Sequence, residues 1–116
     1  MAKAGDYEGA RAEYEAALKW DAENLEILRK AAENETAAGN YAAAVAYYER
    51  ALGLAPYSMN IRYELGLVYE ETDKAKAAAM YRELLEMSST RVGIKTEKLK
   101  DAQRRHAALA REGYRG

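Results

Sequence analysis

Apolar residues recur along this chain at helical spacing. Tyr7, Ala10, Tyr14 and Ala17 form one stripe and predict a helix over about 7–20, followed by a turn at Asp21 to Asn24. A second helix is expected over about 25–38, ending at Gly39, a residue type suited to the left-handed position after a helix. The third, over about 41–54, turns Tyr41, Ala44, Tyr48, Ala51 and Leu52 inward and is stopped by Pro56. Ile61, Leu65, Val68 and Tyr69 mark a fourth over about 58–71; Ala77, Tyr81, Leu84 and Leu85 mark a fifth over about 74–87. The polar run Ser88-Ser89-Thr90 breaks the chain and is expected to cap a sixth helix over about 91–112, which ends at Gly113. No segment alternates with period two, so no strands are expected.

The helices are not independent inventions. Gly5-Asp6-Tyr7-Glu8-Gly9-Ala10 returns 34 residues later as Gly39-Asn40-Tyr41-Ala42-Ala43-Ala44, and Tyr14, Ala17 and Leu18 return as Tyr48, Ala51 and Leu52. A fixed period of this length marks a unit that cannot bury its apolar face alone and must stack on its copies. Such an architecture makes surfaces for holding other molecules more readily than it makes a catalytic pocket.

On these residues the chain resembles the tetratricopeptide repeat family, whose unit is a 34-residue pair of antiparallel helices, A and B. Residues 25–58 carry the fullest copy, with Ala32 at the small slot of helix A, Gly39 at the turn, Tyr41 after it, Ala44, Tyr48 and Ala51 along helix B, and Pro56 between repeats. Residues 59–90 hold a shortened copy with Leu65-Gly66, Tyr69, Ala77, Tyr81 and Leu85, lacking the turn glycine at Thr72-Asp73. Residues 1–24 read as a half repeat, helix B only, and 91–116 as a capping helix, all within a single structural domain. The resemblance implies an all-α fold, a right-handed superhelical stack of antiparallel helix pairs. Two slots depart from the pattern. Glu35 stands where the next copy has Tyr69, and Arg62 where the previous copy has Leu28. A buried unpaired carboxylate is expensive, so Glu35 is expected to be partly exposed or paired.

In this family the concave face of the A helices holds an extended peptide or a partner helix. Carried over by position, that face would present Glu26, Arg29, Lys30, Glu33 and Thr36 from the second helix, and Asn60, Tyr63, Glu64, Leu67 and Glu70 from the fourth. Tyr63 and Leu67 would form an apolar saddle, and Arg29 and Lys30 would meet a partner carboxylate. The blander reading is a solvated face with local pairs such as Lys30 with Glu33 or Asn34. The carboxylate clamp of chaperone-binding relatives, built on Lys and Asn, is absent: Arg29, Glu33 and Glu64 stand at its slots.

Composition narrows the chemistry further. The chain has 116 residues, no cysteine, one histidine and a net charge of −1. This excludes a disulfide scaffold and thiolate metal sites and argues against general affinity for nucleic acid. No apolar run is long enough to span a bilayer and no leader is evident, which favours the cytoplasm, although the chain reads as excised from a longer array. Residues 1–90 carry a balance of −6 and residues 91–116 a balance of +5. The sixth helix sets an apolar stripe (Val92, Leu99, Ala102, His106, Leu109) beside Lys95, Lys98, Lys100, Arg104, Arg105 and Arg111. It reads first as a polar cap for the last repeat. His106 reads as a core or boundary histidine, the adjacent Glu70 and Glu71 point apart, and Ser88-Ser89-Thr90 has no base at a motif spacing. No catalytic residue, cofactor or metal is therefore expected.

Helix 1 lacks a helix A to cover it, so Tyr7, Ala10, Tyr14 and Ala17 are expected to be partly exposed, with Trp20 and Tyr14 as core residues short of cover. Three functions follow. The first is a protein-interaction scaffold without chemistry of its own. The second is self-assembly, in which Tyr7 and Tyr14 of one copy meet Lys100 and Arg104 of another and form a homo-oligomer. The third is a regulatory segment of a larger protein.

Overall fold

The computed structural model describes residues 6–89 and 93–114. Among them are six α-helices and no strand: α1 (Tyr7–Trp20), α2 (Leu25–Ala37), α3 (Tyr41–Leu54), α4 (Met59–Tyr69), α5 (Lys74–Ser88) and α6 (Thr96–Arg111). They fall into two compact units, Met1–Pro56 with α1 to α3 and Tyr57–Gly116 with α4 to α6. In the first unit α2 packs on both α1 and α3; in the second α5 packs on both α4 and α6.

Four helix starts are set by short polar side chains that satisfy a free amide of the first turn. Asp6, Asn24, Ser58 and Asp73 accept from the backbone N–H of Gly9, Ile27, Ile61 and Lys76 at 3.2, 3.0, 3.1 and 3.2 Å. The α2 terminus uses Gly39 at φ +82°, so that Asn40 N–H reaches back to the Glu35 carbonyl at 2.8 Å. Gly113, at φ +102°, ends α6 in the same way, with Tyr114 N–H donating to the Leu109 carbonyl at 2.9 Å.

The core of the first unit is built from small residues and a few large ones: Ala10, Leu18, Leu28, Ala31, Ala32, Ala44, Tyr48 and Ala51 are buried. The second unit buries larger side chains, including Ile61, Leu65, Tyr69, Tyr81 and Leu84. Here α4 and α5 approach so closely at Gly66 that a Cβ on it would lie 2.5 Å from the Tyr81 ring. Small residues at such crossings are what allow two helix axes to come near each other.

Several expectations need correction. Helix α6 starts at Thr96, not near 91, because Gly93 lies at φ +144° and Lys95 is extended. Ser88 and Ser89 do not cap it. Their hydroxyls donate back to the carbonyls of Leu85 and Glu86 at 2.7 and 2.8 Å, closing α5 instead. Thr90 and Val92, assigned to the cap and to the α6 stripe, lie outside the described residues, as does Gly5 of the repeat echo. Helix α4 ends at Tyr69, and the shortened turn is made by Thr72 and Asp73, whose amides both donate to the Tyr69 carbonyl. Of the α1 stripe, expected to be partly exposed, Tyr7, Tyr14 and Ala17 are half-buried and Ala10 is buried. Trp20 is no core residue; it is 93% exposed.

Candidate partner-binding surface

Helix α2 begins with Leu25 and turns Glu26, Arg29, Lys30 and Glu33 to one side, at the i, i+3, i+4, i+7 spacing that keeps residues on one helix face. These five side chains line a single open depression of about 430 Å³. Glu26 and Lys30 are joined across one turn at 3.1 Å, which raises the Lys30 ammonium above its ordinary range. Lysine therefore pairs with Glu26, not with Glu33 or Asn34 as the local alternatives had it. Thr36 is turned back on its own helix, donating its hydroxyl to the Ala32 carbonyl at 2.8 Å. Leu25 had no place among the candidate residues; the signal for it was its position one turn before Arg29.

Behind this face stands Glu35, which is 2% exposed. Arg11 of α1 donates to it through Nε at 2.8 Å and Nη2 at 3.0 Å, and Asn40 Nδ2 donates at 2.9 Å. The alternative of pairing is thus the one realised. The bond from Arg11, helped by Asn40, holds the Glu35 carboxyl below the usual range despite the opposing effect of burial. Asn34 Nδ2 adds a second tie to α1, donating to the Tyr7 carbonyl at 3.0 Å.

The α4 candidates have a different environment, because α6 takes up much of their polar capacity. Tyr63 donates its hydroxyl to Asp101 Oδ2 at 2.5 Å, and Lys98 lies 5.9 Å above its ring. Asn60 Nδ2 donates to the Gly93 carbonyl at 3.0 Å. Glu70 accepts from Tyr81 at 2.5 Å and from Arg105 at 3.0 Å, while Arg105 also donates to Asp101 at 2.6 Å. Glu64 and Leu67 are half-buried. The result is a continuous chain, Tyr81–Glu70–Arg105–Asp101–Tyr63, that fastens α4, α5 and α6 together.

The electrostatics follow from that chain. Asp101 is held below the carboxylate range, first by the Tyr63 hydroxyl and then by Arg105 and Arg104, against the effect of burial. Burial and the bond to Glu70 push the Tyr81 phenol far up, and burial with the bond to Asp101 pushes Tyr63 up. Burial works against the Arg105 charge, but Asp101 and Glu70 outweigh it and raise the guanidinium further. Sequence reasoning placed Tyr81 in the core and Arg105 on a basic face, and did not single out Asp101. The i, i+4 spacing of Asp101 and Arg105 was the available clue.

Of the residues considered for self-association, Tyr7 and Tyr14 are half-buried, Lys100 is exposed, and Arg104 is held on Asp101 at 3.1 Å. His106 is half-buried, and its Nε2 has no hydrogen-bond partner. Among the described residues no helix is long and apolar enough to cross a membrane.

Comparison with known proteins agrees with this architecture. None of the curated proteins matches the chain. The family model described as tetratricopeptide repeat matches residues 2–58 and again residues 29–91. Repeats of this family generally mediate protein–protein interaction. The two matches together cover residues 2–91, most of the chain, and overlap over residues 29–58; the chain belongs to the tetratricopeptide repeat family.

Proposed function

We propose that this protein is an interaction scaffold that holds a peptide or helix of a partner protein on the open face of α2. The observation that carries the reading is the depression formed by Leu25, Glu26, Arg29, Lys30 and Glu33. It combines an apolar contact at one end with cations and carboxylates along one helix side. Arg29 and Lys30 supply donors for a partner carboxylate, and Glu26 and Glu33 discourage a wholly acidic segment. Asn60, Tyr63 and Glu70 serve first to seat α6. The protein carries no chemistry of its own in this reading.

A displayed library of random peptides, selected on the wild-type chain, supplies the test. Selected peptides should bind the wild type and lose at least about tenfold in affinity, roughly 1.4 kcal/mol, on Arg29→Glu with Lys30→Glu. Helicity should not change. Peptides that bind the doubly reversed variant equally well would remove the α2 face from consideration.

A further inference from the structure

The four charges that line the α2 depression stand in a fixed order. Glu26, Arg29, Lys30 and Glu33 follow one another at i, i+3, i+4 and i+7, so one helix face reads negative, positive, positive, negative. Their net charge is zero. At about 1.5 Å of rise per residue they fall at roughly 0, 4.5, 6 and 10.5 Å along the axis. Half-buried Leu25 gives the depression an apolar end beside Glu26. Glu26 and Lys30 are joined at 3.1 Å, but their side chains are 76% and 54% exposed. An exposed pair of this kind contributes little and exchanges readily with counter-charges brought from outside.

We propose, on the reading that this face is the binding surface, that its occupant is a partner helix with the opposite charge order. That helix carries Lys or Arg at i and i+7 and Asp or Glu at i+3 and i+4. A helix fits because it repeats the geometry of α2: the same spacings put four side chains on one of its faces at the same heights. Each charge on α2 then meets its own counter-charge, the partner carboxylates on Arg29 and Lys30 and its cations on Glu26 and Glu33. An extended segment rises about 3.3 Å per residue and turns alternate side chains away, so its same-side residues come about 6.6 Å apart. It sets one carboxylate, not two, against cations that are roughly 1.5 Å apart along the axis. A partner of uniform charge is repelled by half of the face, so selection follows the order of charges and not their sum. The order reads alike from both ends. Leu25 breaks that symmetry, since an apolar residue beside one of the partner's terminal cations sets the direction in which it lies.

Two alanine-rich helical peptides of identical composition supply the test. One carries Lys-x-x-Glu-Glu-x-x-Lys and the other Glu-x-x-Lys-Lys-x-x-Glu, so only the order differs. Titrated into the wild-type chain at low salt, and followed by the amide resonances of Leu25 to Glu33, the first should bind at least about tenfold more tightly. Added salt should erase the difference. The variant Glu26→Lys, Arg29→Glu, Lys30→Glu, Glu33→Lys reverses the order at constant net charge. It should reverse the preference, with circular dichroism matching wild type. Equal binding of the two peptides to the wild-type chain would overturn the proposal without reference to any variant. So would an unreversed preference in a folded variant, or tighter binding of a proline-flanked, extended Lys-x-Glu-x-Lys peptide. Library peptides that depend on Arg29 and Lys30, while neither helical peptide binds, would overturn the charge order and leave the α2 face as the binding surface. Library peptides indifferent to both residues would remove the surface itself.

Discussion

Arg11 of α1 and Glu35 of α2 form a two-bond ion pair, Nε to Oε2 at 2.8 Å and Nη2 to Oε1 at 3.0 Å, with the carboxylate nearly sealed from water. The pair is the main polar tie between these helices. Its value lies less in the attraction than in what would remain if one partner were lost, because an isolated buried charge has no compensation.

Arg11→Val alone should therefore lower stability markedly, by leaving Glu35 with only Asn40. Glu35→Tyr alone should do less harm, since Arg11 is part-exposed and can reach solvent. The double variant uses the residues that the same slots hold 34 positions on, Val45 and Tyr69. It should recover more than half of the loss caused by Arg11→Val. Urea denaturation of the four proteins decides the matter; a double variant as unstable as Arg11→Val would show that the pair is not the source of the effect.

Stability should also depend on pH in one direction. Glu35 and Asp101 both have carboxyls held below their ordinary range in the folded chain. The unfolded chain then binds protons more readily, so their contribution is complete above the ordinary carboxylate range and disappears as pH falls through the depressed folded values. Thermal melting from pH 7 downward should show a falling midpoint in acid. Glu35→Gln should flatten part of that fall, and an identical acid profile in the variant would contradict the assignment.

At the crossing of α4 and α5, Gly66→Ala should destabilise the second unit by about 1–3 kcal/mol, because its new methyl meets a buried tyrosine ring that has little room to move. Tyr81→Val removes that ring. In the Tyr81→Val background the added methyl should cost almost nothing, so a double-mutant cycle should show strong coupling between the two sites. Additive effects would mean that the methyl is accommodated in some other way.

The limits of α1 and α3 were legible to the residue because the 34-residue echo, the Asp6 cap and Pro56 act within a few positions of the helix ends. The start of α6 was not, since the helical composition after Ser89 conceals the left-handed Gly93 and extended Lys95. The α2 face could be traced because its residues share one helix and one spacing. The surroundings of Tyr63 and Glu70 could not, because they depend on Asp101 and Arg105, 38 and 35 residues further on, and no local pattern announces that meeting. For Glu35 the physics of burial narrowed the choice to exposure or pairing, but the partner stands 24 residues earlier on another helix.

The Arg11–Glu35 pair also restricts how such a chain can be rearranged. Glu35 lies on α2, but its counter-charge comes from α1, the helix before it. At the 34-residue offset, the position corresponding to Arg11 holds Val45. A tandem duplication of residues 25–58 would thus place the second Glu35 behind a valine and strand a carboxylate in the interior. The repeats look interchangeable in their spacing, yet their order is encoded, and shuffling them would require the buried charge to change with the neighbour.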